Sequence, residues 1–441
     1  MDNENLIKDA MATLSRYVQF NTTNPPGNEM PAALWLREQL TNRGITKDIK
    51  LYEPLIGRGL VVARIDGSET LKPLMINHHM DVVAADQALW SYPPFSGICA
   101  DGFIWGRGTL DTKGLGVMFI LALEALLKEG TKFRRPIIFT AVPDEEQGGE
   151  NGMRWLVENH LQDIDPEWVW DEGSGGFKDV FGKRVQFAIA VAEKQIYRVR
   201  LIATGEPGHG SMPHNNNANV TLINALERII AAPRSMRAGT AACAMFNVLA
   251  REQKFPASII LRNLSNPLAL KLAGKSLAAE KYTNALFRDT VSVNVIKAGY
   301  QINVIPERAE AELDCRLLPE TDAREFHRWL MSRIADDRVK IEMIQTSPPS
   351  GIAPQNSRFY QAVTSVIEKH SPGAGVFPLL MASATDGRYW RQRGYPAYGF
   401  TPVILERSDI GRVHGIDERL SKDNLILGIK MTIDILKELC A

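Results

Sequence analysis

Five stretches of this chain place histidines or carboxylates in ways that together suit metal chemistry. The first is Pro73-Leu-Met-Ile-Asn-His-His-Met-Asp-Val-Val. In an extended segment His79 and Asp81 point to one side, so the carboxylate can accept the second imidazole N–H and orient a metal-bound histidine. His78 points the other way and reads as a packing or supporting residue. The second is Gly106-Arg-Gly-Thr-Leu-Asp111-Thr-Lys-Gly114, a tight turn delivering Asp111 to the start of a helix. An ordinary N-cap aspartate has the same place; the chemical alternative is a carboxylate bridging two cations.

The third stretch is Ile138-Phe-Thr-Ala-Val-Pro-Asp144-Glu145-Glu146. Adjacent carboxylates just past a buried strand repel one another unless cations lie near. Successive side chains diverge, so Glu146 can ligate a metal while Glu145 faces the attacking water. The fourth, Trp168-Val-Trp-Asp171-Glu172-Gly, again ends an apolar strand in carboxylates, and the fifth, Gly411-Arg-Val-His414-Gly, places a histidine in a glycine-flanked loop. His79, His414, Asp111, Glu146 and Glu172 make a nitrogen and oxygen ligand set suited to zinc, cobalt or manganese.

The elements that must position these residues are legible as well. Lys113–Glu129 reads as an apolar helix, and the runs 59–65, 73–77, 135–142 and 168–170 read as buried strands. Strands alternating with helices imply a doubly wound α/β catalytic domain. From about Gln195 the texture changes: 195–204 and 309–317 alternate like half-exposed strands, 218–231 and 323–334 read as helices, and 339–344 as a further strand. This fits an α+β domain over 195–346 inserted between two catalytic segments, 1–194 and 347–441. Open α/β sheets place ligands beyond their strand ends, where the carboxylate clusters fall.

Composition narrows the partners. The 441 residues carry 51 basic and 51 acidic side chains, so no bulk basic excess marks a nucleic-acid binder. Four scattered cysteines form no C-x-x-C pair, which excludes a disulfide scaffold and a thiolate zinc site. The acidic N-terminus is unlike a signal peptide, and no apolar run reaches the roughly 18 residues of a membrane helix. The expectation is a cytoplasmic protein acting on a small molecule or short peptide, without membrane or nucleic-acid partners.

The order His-x-Asp, Gly-Arg-Gly-x-x-Asp-x-Lys-Gly, Asp-Glu-Glu, Asp-Glu-Gly and a late His-Gly resembles the M20 metallopeptidases, over essentially the whole chain. That family includes carboxypeptidases, aminoacylases, desuccinylases and dipeptidases. The resemblance implies a two-zinc amide hydrolase with cobalt or manganese as alternatives. It places His79 and Glu172 on one metal, Glu146 and His414 on the other and Asp111 between them. Asp81 would orient His79, and Glu145 would be the general base; members differ on whether the residue at 171 or at 172 binds metal. In Gly205-Glu-Pro-Gly-His209-Gly, His209 resembles the lid-domain histidine that serves a neighbouring subunit's site, which implies a homodimer through the lid. Asn303 and Arg316 look like the family's substrate-gripping pair. Thr385-Asp-Gly-Arg388 resembles the Gly-Gly-Thr-Asp-x-Arg loop, with Ser383-Ala384 in place of the two glycines, and makes Arg388 a second carboxylate-binding candidate. The segment between about 234 and 288 is additional to a minimal lid.

Overall fold

The computed structural model describes every residue except 1, 2, 181 and 183. It resolves into two compact units: Met1–Val191 with Ile352–Leu379 and Thr385–Ala441, and Ala192–Gly351 with Leu380–Ala384.

The first unit is built on an eight-stranded mixed sheet. Its order is Ile49–Tyr52, Leu60–Ile65, Ile137–Val142, Leu74–His79, Trp168–Lys178, Ala397–Glu406, Gln186–Glu193 and Gly375–Met381. The central strands Ile137–Val142, Leu74–His79 and Trp168–Lys178 run parallel. The first two are buried along their whole length, which is why they read as continuous apolar runs rather than as alternation. One face packs against the helix Met153–Ile164 through Met75, Ile138, Val142, Met153, Leu156 and Val157. The helix Lys113–Lys128 carries almost entirely buried residues, and His78, on the face opposite Met75, abuts its Gly116: a methyl there would fall 2.3 Å from the imidazole.

The strand that begins at Trp168 continues to Lys178, well past the Trp168–Trp170 core visible in the sequence. Its glycines are the reason. A side chain on Gly173 would lie 2.7 Å from the backbone of Gly399, so glycine permits the close approach of the two strands. Gly175 and Gly176 likewise pack against Thr401, Val403 and Phe187 of the neighbouring strands.

The second unit carries a four-stranded antiparallel sheet in the order Thr290–Ala298, Arg308–Leu317, Gln195–Thr204, Val339–Thr346. Alternate residues Tyr197, Val199, Leu201, Ala309, Ala311 and Leu313 face the helices Ala218–Ala231 and Ala323–Ile334 and form its core. Between Ala231 and Thr290 the chain adds the helices Thr240–Leu249, Ala257–Arg262, Pro267–Ala279 and Lys281–Leu286.

Candidate metal and catalytic site

Three neighbouring parallel strands of the first unit deliver His79 at the end of one, the turn Asp144–Glu146 just past the end of the second, and the pair Asp171–Glu172 within the third, Trp168–Lys178. The loop before the helix Lys113–Lys128 adds Asp111, and the loop 411–418 adds His414. His79 Nε2 lies 2.9 Å from Asp111 Oδ1 and 3.4 Å from Glu172 Oε1. His414 Nε2 lies 2.9 Å from Asp111 Oδ2 and 3.2 Å from Glu146 Oε1. Asp111 therefore turns one oxygen toward each histidine. Donor atoms of His79, Glu145 and Glu172 lie within 4.8 Å of one another, as do those of His79, Asp111 and Glu146.

Two ligands on a tetrahedral zinc, each about 2.1 Å from it, stand about 3.4 Å apart. The spacings of 3.4 Å to Glu172 and 3.2 Å to Glu146 are close to that edge length, while the two 2.9 Å contacts to Asp111 are of hydrogen-bond length. Electrostatics point the same way. Burial, then repulsion from neighbouring carboxylates, pushes the Glu145 and Glu172 carboxyls well above their usual range and also raises Glu146. Hydrogen bonding to Asp111 and Glu146 lifts His414 to about 10. Asp111 is held low because its two histidines outweigh its burial. Glu146 is shielded from solvent, and its Oε1 faces only the His414 imidazole, at 3.2 Å. A crowded acidic cluster balanced only by imidazolium is a donor set that divalent cations would satisfy.

Asp171 and Glu172 separate cleanly. Asp171 is buried and accepts from Asn77 Nδ2 at 2.8 Å, whereas Glu172 faces His79. Asp81 meets His79 through both its backbone and its side chain. His79 Nδ1 meets the backbone carbonyl of Asp81 at 2.8 Å, and the Asp81 carboxylate is 3.6 Å away. The strand ends at His79, so simple extended alternation no longer governs Asp81. Its carboxylate also accepts the backbone N–H groups of Glu145 and Glu146, both at 3.1 Å.

Arg388, the second carboxylate-binding candidate, already has protein partners. It is buried, donating to Thr385 O at 2.9 Å and to Gly148 O at 2.6 Å. The guanidinium thus clamps the segment that follows Glu146. Beside it, Asp386 is fully buried and neither of its oxygens has a hydrogen-bond partner among the described residues.

Two residues with large structural effect were not singled out from the sequence. Glu418, fully buried, accepts from Arg107 Nη1 at 2.7 Å and from the backbone N–H groups of Gly108, Leu110 and Asp111 at 2.8–3.2 Å. Arg107 Nη2 donates to Gly415 O at 2.9 Å and His414 O at 3.3 Å. One ion pair therefore ties the Asp111 loop to the His414 loop. The only sequence signal was an arginine inside the Gly106–Gly114 motif and a glutamate four residues past His414, 311 positions apart.

The remaining candidates belong to the second unit. His209 is exposed, pairs with Val304 across a short two-stranded ladder, and holds Ser211 Oγ at 2.7 Å through Nδ1. Asn303 is exposed beside it, with Gly210 N–H donating to its carbonyl at 2.7 Å. Arg316 lies on the central strand Arg308–Leu317, where Asp314 holds its Nε at 2.7 Å and its Nη2 at 3.2 Å. That pairing leaves Nη1 outward of the fork.

A mixed α/β fold with this cluster at its strand ends defines a class, the metal-dependent amide hydrolases. The chain belongs to peptidase family M20/M25/M40, whose profile matches residues 75–438. It is 32% identical over 381 residues to the N-fatty-acyl-amino acid synthase/hydrolase PM20D1 of Xenopus tropicalis, covering 85% of this chain and 74% of that one. It is also 32% identical over 429 residues to a probable carboxypeptidase S-like 2 of Dictyostelium discoideum, covering 94% and 81%. Among solved structures it resembles the M20 family metallo-carboxypeptidase Sso-CP2 of Sulfolobus solfataricus. That match has a TM-score of 0.73 and 19% identity over 99% of both chains. No described helix is long and apolar enough to cross a membrane.

Proposed function

We propose that this hydrolase uses two zinc ions to cleave the amide of an N-acyl-amino acid or the last peptide bond of a peptide, next to a free carboxylate. The observation that carries the two-metal reading is the division of Asp111 between His79 and His414. His79 and Glu172 would hold one cation, His414 and Glu146 the other, with cobalt or manganese as substitutes. Such cations supply Lewis acidity to the scissile carbonyl and to the attacking water. Glu145, beside the cluster, takes the proton of that water on its carboxylate and passes it to the departing amine. The Asp81 carbonyl fixes which nitrogen of His79 carries hydrogen, leaving Nε2 for metal. An acyl-amino acid and a peptide with a free C-terminus share an amide beside a carboxylate, which accounts for relatives with both kinds of name.

The carboxylate is the specificity handle, and Arg316 is its partner. Asp314 steadies one edge of the guanidinium, and the remaining donors suit a planar carboxylate. An acyl-amino acid should therefore be cleaved about 10²-fold more efficiently in kcat/KM than its carboxamide, because a site arginine without its anion is costly. Arg316→Lys should resemble Arg316→Ala, since lysine lacks the fork. Equal rates on acid and carboxamide would move the enzyme to the general amidases.

The second unit is assigned to dimer formation. Val220, Ile223 and Ile230 on the helix Ala218–Ala231, and Ile296 on the edge strand, are exposed apolar side chains that a second copy would cover. His209 would then stabilise the oxyanion in the partner subunit's site, supported by its exposure and family likeness. Mixed Glu145→Gln and His209→Ala subunits, each inactive alone, should regain part of the activity after exchange. A mixture that exchanges subunits and stays inactive refutes action in trans. A cytoplasmic setting accords with four cysteines in the thiol form.

A further inference from the structure

The turn that carries Glu145 and Glu146 is held from behind by a set of buried polar residues, of which only Asp81 touches a histidine of the cluster. Its centre is Asn24. Asn24 Nδ2 donates to Asp81 Oδ2 at 2.9 Å and to Asp144 Oδ1 at 3.2 Å. Its own Oδ1 accepts from Arg58 Nη1 at 3.2 Å. Arg58 Nη2 reaches the same Asp144 oxygen at 2.9 Å, and Arg58 Nε stands 2.8 Å from Glu29 Oε2. Asn24, Glu29, Arg58, Asp81 and Asp144 are all buried. The segment bearing Asn24 is itself laced to the metal strand, with Asn24 N donating to Val82 O at 2.9 Å and Val82 N to Thr22 O at 3.1 Å. Gly27, at φ +77°, makes the space: a methyl there would fall 2.1 Å from Arg58 Nη1.

We infer that Asn24 and Arg58, the latter secured by Glu29, are positioning residues that set the direction of the Glu145 and Glu146 carboxylates. The route is short. Asp81 holds the amides of Glu145 and Glu146 with one oxygen each, and Asn24 fixes the rotation of that carboxylate. Asp144, whose left-handed φ of 73° starts the turn, is fixed by Asn24, Arg58 and Asn151 together. Burying so many polar groups has a desolvation cost that apolar packing would avoid. Rigid placement of the base and one ligand is what the arrangement gains, since a misplacement near 1 Å costs about 10² in rate.

The inference rests on the assignments of Glu145 and Glu146 made above, and the test keeps the two apart. Asn24→Ala, and separately Arg58→Met combined with Glu29→Gln so that Glu29 is not left as an unpaired charge while Asp144 keeps its bonds to Asn24 and Asn151, are compared with wild type. The readouts are kcat, KM, the thermal melt and the visible absorption of the cobalt-loaded protein. The expected result is a loss of about 10–10²-fold in kcat with KM within about threefold. The melt should stay cooperative, and the cobalt band should change as Glu146 moves. Unchanged kcat and an unchanged cobalt band in folded variants overturn the inference. So does a kcat loss accompanied in both variants by loss of the cooperative melt, which marks a structural role only. If wild type itself cleaves no acyl-amino acid or peptide, the proposed substrate reading fails, while the cobalt band still judges the brace.

Discussion

Glu145→Gln should lower kcat by about 10³-fold or more while the protein keeps both metal ions, within the usual contribution of a positioned acid–base residue. The substitution is nearly isosteric, and the backbone N–H of residue 145 keeps its 3.1 Å bond to Asp81. Neither histidine that turns to Asp111 depends on Glu145: their short contacts are to Asp111, Glu172 and Glu146. What disappears is a basic oxygen able to take a proton. Metal analysis of the purified variant beside its kcat separates the two roles. A variant that retains more than a tenth of wild-type turnover removes Glu145 as the base. A variant that loses half its metal instead makes Glu145 a ligand, a reading open to it because its donor atom lies within 4.8 Å of those of His79 and Glu172.

Which parts of this site could be seen in the sequence follows from how local each part is. His79, Glu146 and Glu172 sit directly after apolar runs, and a buried strand that ends in a charge is visible without knowing its neighbours. The regular elements behave likewise: the strand Gln195–Thr204 and the helices Ala218–Ala231 and Ala323–Ile334 have the limits their periodicity implies. The edge strand Thr290–Ala298 is not among the strands read from the sequence, although Val291, Val293 and Val295 alternate with the exposed Ser292 and Asn294 and the first two pack on the core of the second unit. Asp81 shows the limit of a periodicity argument. Its spacing from His79 was read as strand geometry, yet the strand stops at His79, two residues before Asp81. Arg388 shows another limit: a cation beside a catalytic motif looks available until the carbonyls of Thr385 and Gly148 are seen to accept from it. The hubs were harder still, since Arg107 and Glu418 meet only because two distant loops do.

That last pair should give the largest stability effect in the first unit. Glu418 accepts four donors, the Arg107 guanidinium and three backbone N–H groups, at a fully buried position. In Glu418→Gln one oxygen becomes an NH2 group, which must face either the guanidinium or the N–H groups of the 108–111 turn. Donor then meets donor, and Arg107 loses its counter-charge while remaining stacked 5.2 Å above Trp90. Breaking a buried pair on one side typically costs about 3–5 kcal/mol. At about 2–4 °C per kcal/mol for a unit of this size, the melting temperature should fall by about 10 °C. The same change should reach the metals, because the Asp111 amide hangs from Glu418 and the His414 carbonyl from Arg107. Residues that support ligands in this way commonly contribute 10–100-fold to metal affinity, so a loss of about that size is expected here. Calorimetry of the metal-free protein reads the first effect and a metal titration the second. A variant that melts within about 2 °C of wild type and binds metal equally well would show that the two loops hold their ligands without this pair.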